Sequence, residues 1–125
     1  EREQVQPLID GLSEENKIDL IGDYDLPTVF AFLKRCHFYI GNDSGLMHMA
    51  GAAQIPTLGL FGPTHEYLYG PWGEKGAFVR TKIDFDDLFG ENFDHRTSGT
   101  LMDSLSVDMV YDAAEKLWNK CYDAE

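Results

Sequence analysis

The stretch Asn42-Asp43-Ser44-Gly45, with His48 three residues further on, gathers side chains suited to holding an anion beside a sugar. It follows an apolar run of strand character, Phe38-Tyr39-Ile40, and leads into the small-residue run Met49-Ala50-Gly51-Ala52-Ala53, which reads as a helix. A strand that feeds a helix through so tight a turn aims several backbone N–H groups at one point. The positive end of the helix dipole adds to them, and phosphate is the usual guest. Gly45 gives a bulky ligand access to the backbone, and Ser44 can cap the helix or donate to a phosphate oxygen. The N–H groups of Ser44, Gly45 and Leu46 are the free donors of a helix start. Asp43 would repel a phosphate, so its carboxylate is better used on sugar hydroxyls next to one. His48, in the first helical turn, can bond a phosphate oxygen or steady the loop of Asp43. The same residues are also ordinary turn and cap chemistry, and residue types alone leave both readings open.

Tyr24 lies in another turn, Gly22-Asp23-Tyr24-Asp25, where it can pack against a nucleobase or simply cover the rim of a core. No G-x-G-x-x-G in a βαβ setting and no G-x-x-x-x-G-K-[ST] occurs, so the dinucleotide fingerprint and the P-loop are both missing. His37, His65 and His95 are scattered, and no second His or Cys stands at ligand spacing from His48, so no metal site is expected. Cys36 has no activating neighbour in the sequence, and no Ser-His-Asp set is suggested by spacing.

The elements that must position these residues alternate. Residues 1–11 carry Val5, Leu8 and Ile9 on one stripe of an amphipathic helix stopped by Gly11, and Ser13 to Asn16 is a polar connection. Lys17–Ile21 is short and apolar enough for a strand. Pro27 suits the first turn of a helix that runs through Val29, Phe30, Phe32 and Leu33 to Lys34-Arg35. His37–Ile40 is the next strand. Leu46, Met49, Ala50 and Ala53 form one face of the helix after Ser44, and Gln54-Ile55-Pro56 ends it. Thr57–Phe61 is almost wholly apolar, as a central parallel strand tends to be. Residues 77–81 read as a fourth, edge-like strand, and residues 82–100 as a loop or insertion. The last helix spans residues 106–120, capped by Ser106 and stapled by Leu105 and Val110, with Val107, Val110, Ala114, Leu117 and Trp118 inward. Strands alternating with helices predict an α/β fold with a Rossmann-like, mostly parallel sheet. In such sheets ligands bind beyond the carboxyl ends of the strands. The turns at 22–25, 41–45 and 62–64 each follow an expected strand, so they share one rim.

The chain has 125 residues, 43% of them apolar, which suits one folded domain. A formal charge of −12 argues against nucleic acid as a partner and against attraction to an anionic lipid surface. Two cysteines far apart suggest no disulfide scaffold, and no apolar run approaches the length of a membrane span. A cytoplasmic location is expected.

The run Ile40-Gly41-Asn42-Asp43-Ser44-Gly45-Leu46-Met47-His48-Met49-Ala50, then Ile55-Pro56-Thr57 and Leu60-Phe61-Gly62-Pro63-Thr64, closely resembles the C-terminal domain of glycosyltransferase family 9. These are the heptosyltransferases of lipopolysaccharide core synthesis. The resemblance implies a GT-B enzyme without a metal or other cofactor. It would move a sugar from a nucleotide diphosphate donor, typically ADP-heptose, to a lipopolysaccharide core acceptor. Carried over, Asp43 contacts the donor sugar, while Ser44, Gly45 and Leu46 bind the diphosphate through main-chain N–H groups. His48 supports that loop, Tyr24 sits where the family packs a side chain on the base, and Glu1 falls near the family's ribose-binding acid. The catalytic base and acceptor site of the family lie on an N-terminal domain. The chain, which begins with Glu1 rather than Met, is therefore expected to be part of a C-terminal nucleotide-sugar domain, inactive in isolation and open to self-association through an exposed sheet edge. The whole enzyme would work at the inner face of the inner membrane. The competing reading is a non-catalytic nucleotide-binding module on the same fold, since fold alone does not decide function.

Overall fold

In the computed structural model, which describes residues 2–89 and 100–123, the sheet is built on its middle strand. That strand, β2 (Thr57–Phe61), pairs in parallel with β1 (Tyr39–Asn42) on one side and β3 (Gly76–Arg80) on the other. Thr57, Leu58 and Phe61 are fully buried. A strand covered on both faces must be apolar throughout, which is why its sequence runs without alternation. Gly59 is required by close approach: a Cβ there would stand 2.7 Å from the Met47 sulfur and 2.6 Å from the Phe61 ring.

The helices are α1 (Arg2–Gly11), α2 (Leu26–Leu33), α3 (Gly45–Ala52), α4 (Glu66–Tyr69), α5 (Phe85–Leu88) and α6 (Val107–Tyr122). Three of them start as the sequence predicts. The Asp25 carboxylate accepts from Thr28 N at 2.9 Å ahead of Pro27, Ser44 Oγ accepts from Met47 N, and Ser106 Oγ from Met109 N. Each cap satisfies a donor that a helix start otherwise leaves bare. Leu33, Ala50 and Ile55 form the core between α2, α3 and the sheet, with Val29, Tyr39, Met49 and Ala53 packed against it. α6 covers the other face of the sheet through Leu117. Its end is tied down by Lys120 Nζ to Glu74 O at 2.8 Å and Tyr122 OH to His37 O at 2.6 Å.

Several expectations need correction. Lys17–Ile21 is not a strand: it pairs with no neighbour among the described residues, and a strand exists only through its partner. β1 begins at Tyr39 and runs through Gly41 and Asn42, so the turn is shorter than the sequence suggested. On α3 the buried pair is Met47 and Ala50, while Leu46 is 44% exposed; the helix is rotated so that Met47 meets the notch at Gly59. On α6 Val107 and Trp118 are exposed rather than inward. The single turn α4 was not anticipated. In the segment expected to be a loop, α5 is likewise helical, and the remainder of that segment, residues 90–99, lies outside the described residues.

Candidate functional site

All three strands are parallel, so their carboxyl ends define one rim. Asn42 pairs with Leu60, and the chain leaves β1 through Asp43 and Ser44 as it leaves β2 through Gly62, Pro63 and Thr64. The two turns therefore stand side by side, about one strand spacing of 4.8 Å apart.

Ser44 occupies the N-cap of α3 with extended backbone, its hydroxyl accepting from Met47 N at 3.5 Å and its carbonyl from His48 N at 3.3 Å. The amides of Gly45 and Leu46 remain as free donors of the first turn. A Cβ added at Gly45 would meet nothing within 4 Å, so the protein itself does not need a glycine there. The space above that backbone is open, as a site for a close-lying ligand requires. One helical turn on, His48 Nε2 lies 3.4 Å from Asp43 Oδ1, with the Asp43 side chain 17% exposed and that of His48 44%. The pair straddles the helix start and turns the carboxylate away from the amides.

Tyr39 underlies this turn. Its ring lies across Gly41, where a Cβ would come within 2.4 Å of the phenol oxygen, so only glycine fits beneath it. Burial pushes the phenol above the ordinary tyrosine range, against an opposing pull from the adjacent Ser44. Tyr39 also forms part of a groove of about 500 Å3 whose other walls include Leu20, Gly22, Tyr24, Val29 and Leu46. Tyr24, half exposed and edge-on to Phe32 at 5.7 Å between ring centres, thus opens onto the same groove as Leu46. The structure brings together Tyr24, Asp43, Ser44, Gly45, Leu46 and His48 around one corner of the rim; Glu1 lies outside the described residues.

A feature the sequence did not reveal is the buried ion pair between Arg80, at the end of β3, and Glu66, at the start of α4. Its one signal was a charge closing the apolar run Ala77-Phe78-Val79. Among the described residues, no group of three or more His, Cys, Asp or Glu side chains is placed to hold a metal ion. No helix among them is long and apolar enough to cross a membrane.

The family model that describes glycosyltransferase family 9 (heptosyltransferase) matches residues 1–88. The chain belongs to this family. Among curated relatives it is 30% identical over 78 residues to lipooligosaccharide heptosyltransferase 2 of Haemophilus influenzae, covering 62% of this chain and 22% of that protein. It is 34% identical over 89 residues to lipopolysaccharide heptosyltransferase 1 of Pseudomonas aeruginosa, covering 71% and 22%. The crystal structure of the family 9 glycosyl transferase from Veillonella parvula superimposes with a TM-score of 0.73 at 25% identity, over 94% of this chain and 33% of that one. The chain thus spans about a fifth of the length of these curated relatives, and its α/β architecture is that of part of one domain of the family.

Proposed function

We propose that this chain forms the donor side of a heptosyltransferase-like glycosyltransferase, holding the diphosphate of a nucleotide sugar at the start of α3. The observation that carries this is the open backbone at Ser44–Leu46: free amides at a capped helix start, with room above Gly45 where a Cβ would touch nothing. Diphosphate charge meets the helix dipole there. Asp43, held aside by His48, faces sugar hydroxyls, and the adenine of a donor such as ADP-heptose takes the groove between Tyr24 and Leu46.

In the whole protein an acceptor hydroxyl on a lipopolysaccharide core gives its proton to a base placed, on this reading, outside the 125 residues. The oxygen then bonds to the anomeric carbon as the bond from that carbon to the diphosphate oxygen breaks. Amides fixed before the reaction stabilise the charge on the departing diphosphate without reorganising. The reaction belongs at the cytoplasmic face of the inner membrane, where donor and lipid acceptor meet. On its own the chain has no catalytic group in this scheme and is inactive. Its outer β1 edge is unpaired among the described residues and is a place where a second copy could add, which sedimentation of the chain would reveal as a dimer.

Calorimetric titration of the whole protein with ADP tests the reading. Saturable binding that Gly45→Val abolishes is expected. Equal affinity in that variant would remove the diphosphate from the α3 start.

A further inference from the structure

The central strand ends at Phe61, whose carbonyl accepts from Thr81 N at 2.9 Å, the last rung of the β2–β3 ladder. The next carbonyl, Gly62 O, lies past the end of β3 and has no backbone amide to meet there. Arg80 supplies the missing donor from its side chain: Nη2 donates to Gly62 O at 3.1 Å, and Nη1 pairs with the Glu66 carboxylate. One guanidinium therefore grips both ends of the turn Gly62-Pro63-Thr64, its first residue and the residue two beyond its last. The turn is pressed from behind as well, since a Cβ on Gly62 would stand 2.7 Å from the Met102 sulfur and 3.0 Å from Leu101 O.

The pair is buried, with the side chains of Arg80 and Glu66 only 16% and 6% exposed. Burying two opposite charges in this way seldom adds stability over a well-packed apolar pair, because desolvation offsets the attraction. What an arginine adds is geometry: a planar fork that holds two acceptors at once, which lysine cannot reproduce. The held element stands next to Ser44, since Asn42 and Leu60 are paired and the two turns leave their strands together. Thr64 Oγ1 in the same turn is buried with no hydrogen-bond partner among the described residues, a hydroxyl that a small shift could turn to a bound oxygen.

We propose that Arg80 is a positioning residue of the donor site: by bridging Gly62 and Glu66 it fixes the turn Gly62–Thr64 as the wall against which the donor diphosphate rests. Arg80 does not touch the donor; it acts through the turn. The proposal rests on the donor reading of the α3 start and adds a second wall to it.

The test is ADP affinity and melting temperature, measured together on the whole protein for Arg80→Lys and for the apolar pair Glu66→Leu with Arg80→Met. Loss of the fork lets the turn shift, and a misplaced wall is expected to weaken ADP binding about tenfold in both. The apolar pair is expected to melt at or above the wild type while its affinity stays low. That split would not arise from a purely structural ion pair, for which restored stability restores binding. If the apolar pair binds ADP as tightly as wild type, the positioning role is overturned while the donor reading stands. If wild type itself binds no ADP, the donor reading falls and takes the wall with it. Should Arg80→Lys fold poorly, the apolar pair decides alone.

Discussion

His48 Nε2 and Asp43 Oδ1 face each other at 3.4 Å across the start of α3, one residue on each side of the amides of Gly45 and Leu46. The carboxylate is thus kept close to an anion site without lying in it. Removing the imidazole frees Asp43 to swing toward the amides and repel the ligand. His48→Ala is expected to weaken ADP binding about fivefold, while a half-exposed pair of this kind contributes only about 0.2–1 kcal/mol to folding. Calorimetry beside a denaturation curve separates the two effects; a large stability loss with unchanged affinity would assign the histidine to the fold instead.

Gly45 offers a cleaner probe than most glycines. Because a Cβ there meets no protein atom, Gly45→Ala costs nothing in packing, and reduced freedom of the unfolded chain favours folding by about 0.4–1 kcal/mol. The variant is expected to melt slightly higher and bind ADP more weakly. A lowered melting point would show that the backbone at this position is not as open as it looks.

Leu58 is fully buried in the central strand between the two helix layers. Leu58→Ala leaves a cavity that parallel neighbours cannot close, and about 2–5 kcal/mol of stability should be lost in urea unfolding. An effect below about 1 kcal/mol would mean that the sheet collapses readily around the gap.

Acid should loosen α2 in a specific way. The Thr28 hydrogen bonds, side chain first and backbone next, hold the Asp25 carboxyl below its ordinary value of 3.8. A depressed folded pKa gives a contribution that is present above the unfolded value and lost as pH falls through the folded one. Asp25→Asn keeps a capping oxygen but cannot titrate, so its stability should fall less steeply than wild type below about pH 4. Parallel melting curves from pH 6 to pH 3 would check this.

Much of the fold was legible because its signals are local. The unbroken run Thr57-Leu58-Gly59-Leu60-Phe61 names a strand covered on both faces, and Asp25, Ser44 and Ser106 each mark a helix start three residues ahead of a donor they satisfy. The cluster at 43–48 was legible for the same reason: one short segment carries turn, cap and imidazole. What escaped depends on residues far apart in the chain. Lys17–Ile21 has the residues of a strand but no neighbour among the described residues, and no local pattern can report a partner. Met47 rather than Leu46 faces the sheet because Gly59, twelve residues later, leaves a notch. Glu66 and Arg80 look like surface charges until the fold buries them together.

α1 contains no buried residue, and little holds it: Arg2 to Asp19, and Lys17 Nζ to Ile9 O at 3.0 Å. The segment that follows forms one wall of the groove at Tyr24, whereas the opposite wall, Tyr39 and Leu46, is anchored on the sheet and α3. One side of the groove therefore has a low free energy of local opening and the other has nearly that of the whole molecule. Amides of residues 2–24 should exchange with solvent long before those of β2. A nucleotide that bridges both walls would draw this outer layer into the cooperative unit, so occupancy would be read far from the phosphate, in the exchange rates of α1.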